Sequence, residues 1–285
     1  LEAVVRTDAP SKIDESLNRA EEFALLKTAL AAGVTVPEPL WLCRDPSVLG
    51  KEFFVMRRVA GAAAGHHMVK DERLRDSGEA LVERLAEELA RIHTITPPAD
   101  GLGFLAMPEP SPALHSVNRL RHHLDRLATP HPVLEWGLRW LERNAPTRGE
   151  LVLRHGDFRT GNYMVDENRL TGILDWEFAG WSDLHDDIGW FCAKCWRFGA
   201  DDREAGGIGV RETFYRAYER ASERSVDPGT VSYWEVMAHL RWAVIALQQA
   251  QRHVSGDEPA LEMALTGHVV PGLELEILQL TGKGT

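Results

Sequence analysis

Residues 151–177 read LVLRHGDFRTGNYMVDENRLTGILDWE, and this stretch decides the fold. Apolar runs at Leu151–Leu153, Tyr163–Val165 and Gly172–Leu174 predict three short strands, with Asp166–Asn168 as the turn between the last two. His155, Asp157, Asn162 and Asp175 fall where those strands end. Asn162 lies five residues after Asp157, and Asp175 eighteen after it. A loop of the first length leaves the Asp157 carboxylate free as a base while the Asn162 oxygen turns back toward a metal. Asp175, delivered by the next strand, can hold that metal from the other side. Two oxygen donors with the remaining positions left to water and phosphate suit magnesium. A carboxylate that orients a hydroxyl, beside a metal that neutralises phosphate charge, is what phosphoryl transfer requires. A plain surface hairpin would also use turn-forming Asp, Asn and Gly. The offsets, together with DWE at a strand end, favour a catalytic site.

The segments HGDFRTGN (155–162) and ILDWE (173–177) resemble the aminoglycoside phosphotransferase family, small-molecule kinases with a protein-kinase-like fold. The resemblance implies an α+β, two-lobe fold: a small β-rich N-terminal lobe, incomplete here, over residues 1–60 and a larger, mainly helical C-terminal lobe over 61–285. It also implies roles. Asp157 would be the catalytic base or hydroxyl-orienting group, Asn162 and Asp175 would bind Mg2+, and His155 would brace the loop. Arg159 sits where Ser/Thr protein kinases carry a lysine that contacts the transferred phosphate; a solvated turn residue is the other reading. Gly180, Asp183 and Asp187 in AGWSDLHDDIGW (179–190) continue the match. Asp187 would be the buried acid that hydrogen-bonds the catalytic-loop backbone, since a buried carboxylate must be bonded. Glu177 either approaches metal or substrate, or caps a turn.

Upstream, the apolar run Ala3–Val5 ends at Arg6, and Ser11–Asp14 resembles a capping box opening a helix with apolar positions Ile13, Leu17, Ala20 and Ala24. This order is similar to the third strand and following helix of a kinase N-terminal lobe. There a strand cation holds the α- and β-phosphates of ATP and pairs with a helix glutamate. Arg6 takes the strand position and Glu22 the helix position, with Glu21 as the competing partner. Arginine replaces the usual lysine, and it binds phosphate bidentately. Nothing before Arg6 supplies the two strands and phosphate-covering loop of that lobe, so a truncated N-terminus is the expectation. By the same resemblance, Phe53–Met56 leads to the hinge, where adenine would bond the Arg57 carbonyl and the Val59 amide.

The chain has 285 residues, 44% of them hydrophobic, enough for one large or two smaller buried cores. Its net charge of −11 argues against a nucleic-acid partner and is compatible with a cationic substrate. No apolar run approaches the roughly 20 residues of a membrane span, and no signal peptide is visible. Three sparse cysteines point to the cytoplasm. Cys192 and Cys195 form CAKC without a second CxxC, and read as buried structural thiols three apart on one helix face. Downstream of Gly61 the pattern turns helical. Leu81, Leu85, Leu89 and Ile92 mark one helix ending near a helix-end or core His93. Residues 97–112 read as a loop; Leu120–Leu127, Val133–Asn144, Val210–Ala221 and Ser232–Gln251 read as helices. His122–His123 reads as solvated. Trp234, Met237, Arg241 and Val244 recur at helical spacing, and the apolar three suit core packing.

The sequence therefore predicts an ATP- and Mg2+-dependent phosphotransferase acting on the hydroxyl of a small molecule of aminoglycoside, sugar or choline type. The alternative is a nucleotide-binding pseudokinase or regulatory module without turnover. An HD-type phosphohydrolase, suggested by His185–Asp186, ranks last because that chemistry spreads several metal-binding His and Asp residues over helices.

Overall fold

The computed structural model describes residues 1–8, 16–127, 129–147 and 149–282, without the side chains of residues 72–77. Strand β1 (Ala3–Thr7) is followed by helix α1 (Arg19–Ala31), β2 (Pro39–Cys43), the short helix α2 (Pro46–Leu49) and β3 (Phe53–Arg57). The three strands make an antiparallel sheet in the order β1-β3-β2. Its register sets Arg6 opposite Phe54, and opposed residues of antiparallel strands share a face. That face packs on α1, where Phe54 is fully buried and meets Phe23 edge-on at 5.8 Å. Arg6 is thus carried to the helix side of the sheet by its pairing.

Helix α1 buries Glu22, Leu25, Leu26 and Ala29, the spacing of a single helical face. Glu22 therefore points where the leucines point, toward the sheet and Arg6. Glu21 faces away into a capping box with Asn18, which accepts from the Glu21 amide at 2.9 Å while Glu21 accepts from the Asn18 amide at 2.8 Å. The capping box expected at Ser11–Asp14 lies outside the described residues; the observed one starts the helix at Arg19.

Beyond the sheet the chain is mainly helical: α3 (Gly65–Lys70), α4 (Glu72–Ile92), α5 (Pro112–Asp125) and α6 (Pro132–Arg143) precede the segment 151–177. Helix α5 begins earlier than its apolar pattern suggests, because Ser111 caps it and Pro112 occupies the first turn. Strands β4 (Leu151–Arg154), β5 (Tyr163–Asp166), β6 (Arg169–Ile173) and β7 (Gly180–Asp183) follow, then α7 (Leu184–Cys192), α8 (Arg211–Ser222), α9 (Pro228–Ser255), α10 (Leu261–Gly267) and α11 (Val270–Thr281). Strands β5 and β6 form a hairpin whose turn residues Glu167 and Asn168 both have positive φ, 46° and 65°, the backbone of a tight primed turn. Strand β4 pairs instead with β7, Leu151 opposite Asp183 and Arg154 opposite Gly180. One hydrophobic core joins α1, α4, α7 and α8 to the strands; a second gathers α5, α6 and α11 around α9.

Two expectations are corrected here. Helix α7 ends at Cys192, and Cys195 falls in the 3-10 turn Lys194–Trp196, so the two cysteines do not share a helix face. Both are free thiols; Cys192 is buried and its pKa is pushed up to about 12 by that burial, whereas Cys195 is half-buried. His123 is not simply solvated: it is half-buried and bonds Gln248 of α9 at 2.9 Å.

Candidate active site

The loop between β4 and β5 is shaped by one carboxylate. Asp187, fully buried on α7, accepts the His155 amide at 2.6 Å and the Gly156 amide at 2.9 Å. His93 adds Nε2 at 3.4 Å and itself bonds the Tyr218 hydroxyl at 2.7 Å, a core histidine in its observed role. Burial pushes the Asp187 pKa up, but the hydrogen bonds and neighbouring histidines outweigh it and hold the group below its usual range. Gly156 takes φ +81°, and a Cβ there would stand 2.1 Å from the Phe178 carbonyl; only glycine fits.

His155 is buried with Nε2 2.9 Å from the Leu174 carbonyl. A carbonyl only accepts, so Nε2 carries the hydrogen, and Nδ1 is left to accept the Asp157 amide at 3.2 Å. Burial lowers the His155 pKa, which fits that neutral tautomer. The ring braces this loop against Leu174, just past the end of β6 and next to Asp175.

Asp157 projects into the cleft with 14% of its side chain exposed. One oxygen accepts from Trp190 Nε1 at 2.8 Å and Arg159 Nε at 3.0 Å; the other accepts from Asn162 Nδ2. The Asn162 amide nitrogen also donates to the Asp157 carbonyl at 2.9 Å, which leaves its Oδ1 as the remaining group. The Leu174 amide donates to the Asn162 carbonyl at 2.8 Å, setting Asp175 beside Asn162. Asp175 is held at φ 58° and ψ 63°, with 39% of its side chain exposed.

Arg6 reaches this group from the sheet. It lies 3.4 Å from Glu22, 2.9 Å from Asp175 and 3.8 Å from Glu177. Arg19, which sequence reasoning passed over, is buried beside Glu22, with Glu177 at 3.2 Å and Asp8 at 2.8 Å. Burial holds the Glu22 carboxyl above its usual range despite both guanidiniums. Arg6 loses to burial but gains more from Glu22, Asp175 and Glu177, and sits above its usual value. Glu177 therefore belongs to the ionic cluster rather than to a turn cap.

A cavity of about 610 Å³ brings together Arg6, Asp157, Arg159, Asn162, Asp175 and Glu177. His155 and Asp187 lie behind its wall. Arg57 and Val59 are not part of its lining; the Arg57 guanidinium is exposed and pairs with Glu38 at 2.8 Å. The His185–Asp186 pair is structural. His185 Nδ1 bonds Asp183 at 2.7 Å and its Nε2 accepts the Asp227 amide at 3.1 Å, while Asp186 accepts from Arg154 and Ser182. Among the described residues, no group of three or more His, Cys, Asp or Glu side chains is placed to hold a metal ion, which leaves the HD-type reading without its ligands.

A strand arginine paired to a helix glutamate, a looped Asp/Asn pair and a second Asp facing it define a kinase-like phosphotransferase of two-lobe fold. The chain belongs to the phosphotransferase enzyme family, whose model matches residues 2–226. Its fold is similar to that of a Ralstonia eutropha protein assigned as an aminoglycoside phosphotransferase, with TM-score 0.78, 21% identity and 99% of this chain and 86% of that chain covered. It is also similar to a choline/ethanolamine kinase family protein from Mesorhizobium loti, with TM-score 0.65, 19% identity and 99% and 83% of the two chains covered. Among curated proteins, it is 34% identical over 167 residues to acyl-CoA dehydrogenase family member 11 of Gallus gallus, 55% of this chain and 20% of that protein. The Rattus norvegicus counterpart is 25% identical over 294 residues, 98% of this chain and 37% of its own length. The chain thus spans well under half of these relatives. Among the described residues, no helix is long and apolar enough to cross a membrane.

Proposed function

We propose that this chain transfers the γ-phosphoryl group of ATP to a hydroxyl of a small molecule. The observation that carries the reading is the convergence of Asp157, Asn162, Asp175 and Arg6 on one cavity, with Glu22 pairing Arg6 from behind. Asp157 would orient the acceptor hydroxyl; its oxygen attacks the γ-phosphorus, the bond to the bridging β,γ-oxygen breaks, ADP leaves, and the hydroxyl proton passes to the Asp157 carboxylate. Arg159, whose Nε steadies Asp157 and whose guanidinium lies 4.4 Å from the Trp196 ring centre, would face the phosphoryl group in flight. Arg6 would bind the α- and β-phosphates, held at the right height by Glu22.

The donor set fits magnesium: the Asn162 side-chain oxygen Oδ1 and the Asp175 carboxylate are two hard oxygen ligands, and this ion takes few from protein. Bound there, the ion would neutralise phosphate charge. Residues 1–60 would act as the nucleotide lobe, with the backbone at Arg57 and Val59 as the adenine-binding hinge, and 61–285 as the lobe that holds catalytic loop and acceptor. A solved neighbour complexed with GDP and kanamycin supports a nucleotide-and-hydroxyl reading while leaving the base open.

Calorimetric titration of Mg-ATP, with Mg-GTP in parallel, tests it. Magnesium-dependent binding that weakens in Asp175→Asn, together with transfer abolished but binding retained in Asp157→Ala, is the expected result. Binding by the native chain with no turnover on any acceptor would favour a nucleotide-sensing module instead. No binding of either nucleotide would overturn both.

A further inference from the structure

The far wall of the cavity, built by α5, the end of β4 and α9, is lined by guanidiniums. Arg119 comes from α5, Arg154 from β4 and Arg241 from α9, and they flank the catalytic loop that carries Arg159. Among the described residues that line the cavity, the carboxylates are Asp157, Asp175 and Glu177. The latter two face Arg6 and Arg19 on the opposite side. Asp186, just behind the wall, answers Arg154 at 2.6 Å and stands 4.0 Å from Arg241.

Arg241 is the centre of this wall. It donates to the Gly156 carbonyl at 2.7 Å, lies 3.5 Å over the Trp190 ring and has 14% of its side chain exposed. Burial pulls its pKa down to about 10; among the surrounding charges Asp186 raises it most, followed in turn by Arg154 lowering, Asp157 raising and Arg119 lowering it. The same two arginines, after burial, lower His115. Although the chain carries a net charge of −11, the guanidiniums of Arg119, Arg154, Arg159 and Arg241 all line this side of the cavity, planar donors suited to a carboxylate or phosphate. On the same helix Trp242, the next residue, and Ile245, one turn further on, continue the wall as an apolar surface.

We propose that the hydroxyl acceptor is an anionic molecule, its carboxylate or phosphate held by Arg119, Arg154 and Arg241 and its apolar portion laid on Trp242 and Ile245. This inference rests on the phosphotransferase reading and narrows it. Amino-sugar or choline-like cations, which the net charge alone would accommodate, meet like charge at this wall.

Calorimetry with four probes tests it: ω-hydroxydodecanoate, its neutral methyl ester, glycerol phosphate and choline. Saturable binding of the hydroxycarboxylate, of glycerol phosphate or of both, with ester and choline at least about tenfold weaker, is expected; the stronger of the two anions identifies the group held. Arg119→Gln should weaken the anion about tenfold while leaving Mg-ATP affinity unchanged, the loss of one charge-assisted contact. Arg241→Lys should do so through loss of the planar fork. Ester or choline binding as tightly as the anions, neither anion binding, or both variants binding them as the native chain does, would overturn the proposal. Anion binding without any Mg-ATP binding would support the anion site and overturn the phosphotransferase reading.

Discussion

The indole of Trp190 donates its N–H to the carboxylate of Asp157 at 2.8 Å while its ring face supports Arg241 at 3.5 Å. One residue of α7 thus fixes both the carboxylate proposed to orient the acceptor and the cation beside it. Trp190→Phe keeps the ring but removes the donor. Turnover should fall by about tenfold or more, the size of a lost hydrogen bond to a charged group, with Mg-ATP affinity unchanged. Steady-state kinetics with an unaltered kcat would show that Asp157 needs no such support.

Arg6 answers three carboxylates at once, from 2.9 to 3.8 Å. Lysine offers a single point charge in place of the fork. Arg6→Lys should therefore raise the KM for ATP by about tenfold. Unchanged nucleotide affinity in the variant would remove Arg6 from the phosphate site.

At Gly156 a methyl group would meet the Phe178 carbonyl at 2.1 Å on a backbone with φ +81°. Gly156→Ala should cost about 3 kcal/mol of folding stability and disable the loop, read as a lower urea midpoint with an unchanged slope. A variant as stable as the native chain would mean that the loop has another low-energy path.

Acid should weaken the protein in two stages. Burial lowers His155 and His239 below their usual 6.5. They fold as neutral rings while the unfolded chain takes up protons, so their stability is fully present above about 6.5 and declines as pH falls below it. Asp187 is held below its ordinary 3.8. Its contribution is present above that value and is lost as pH drops through the lower native pKa. Urea midpoints should slope down below about pH 6.5 and fall more steeply below about pH 4. A midpoint flat from about pH 7 to about pH 5 would contradict the neutral burial of the histidines.

Much of the site was legible because its residues lie close together in the chain or follow a helical period. Asp157, Asn162 and Asp175 lie within one short segment, and Glu22 shares the spacing of Leu25, Leu26 and Ala29. Strand β7 was not legible: it is four residues long, GWSD, and its pairing with β4 crosses the whole hairpin. The arginine wall was equally hidden, since Arg119, Arg154 and Arg241 come from three elements that only tertiary packing assembles. Arg19 was passed over because nothing local distinguishes it; its partners Asp8, Glu22 and Glu177 come from three different parts of the chain. The register of CAKC was misjudged because nothing local signals that α7 stops at Cys192.

The pairing of β4 with β7 makes residues 155–179 a closed loop whose two ends lie side by side. Chain length inside it is therefore decoupled from the geometry at its base. Extra residues inserted at the Glu167–Asn168 turn would add little closure entropy, since each doubling of a loop costs only about 0.6 kcal/mol. The bonds from the His155 and Gly156 amides to Asp187 are set outside that turn. Length variation among descendants of such a chain should collect at the hairpin tip, while the spacing across the strand pair stays fixed.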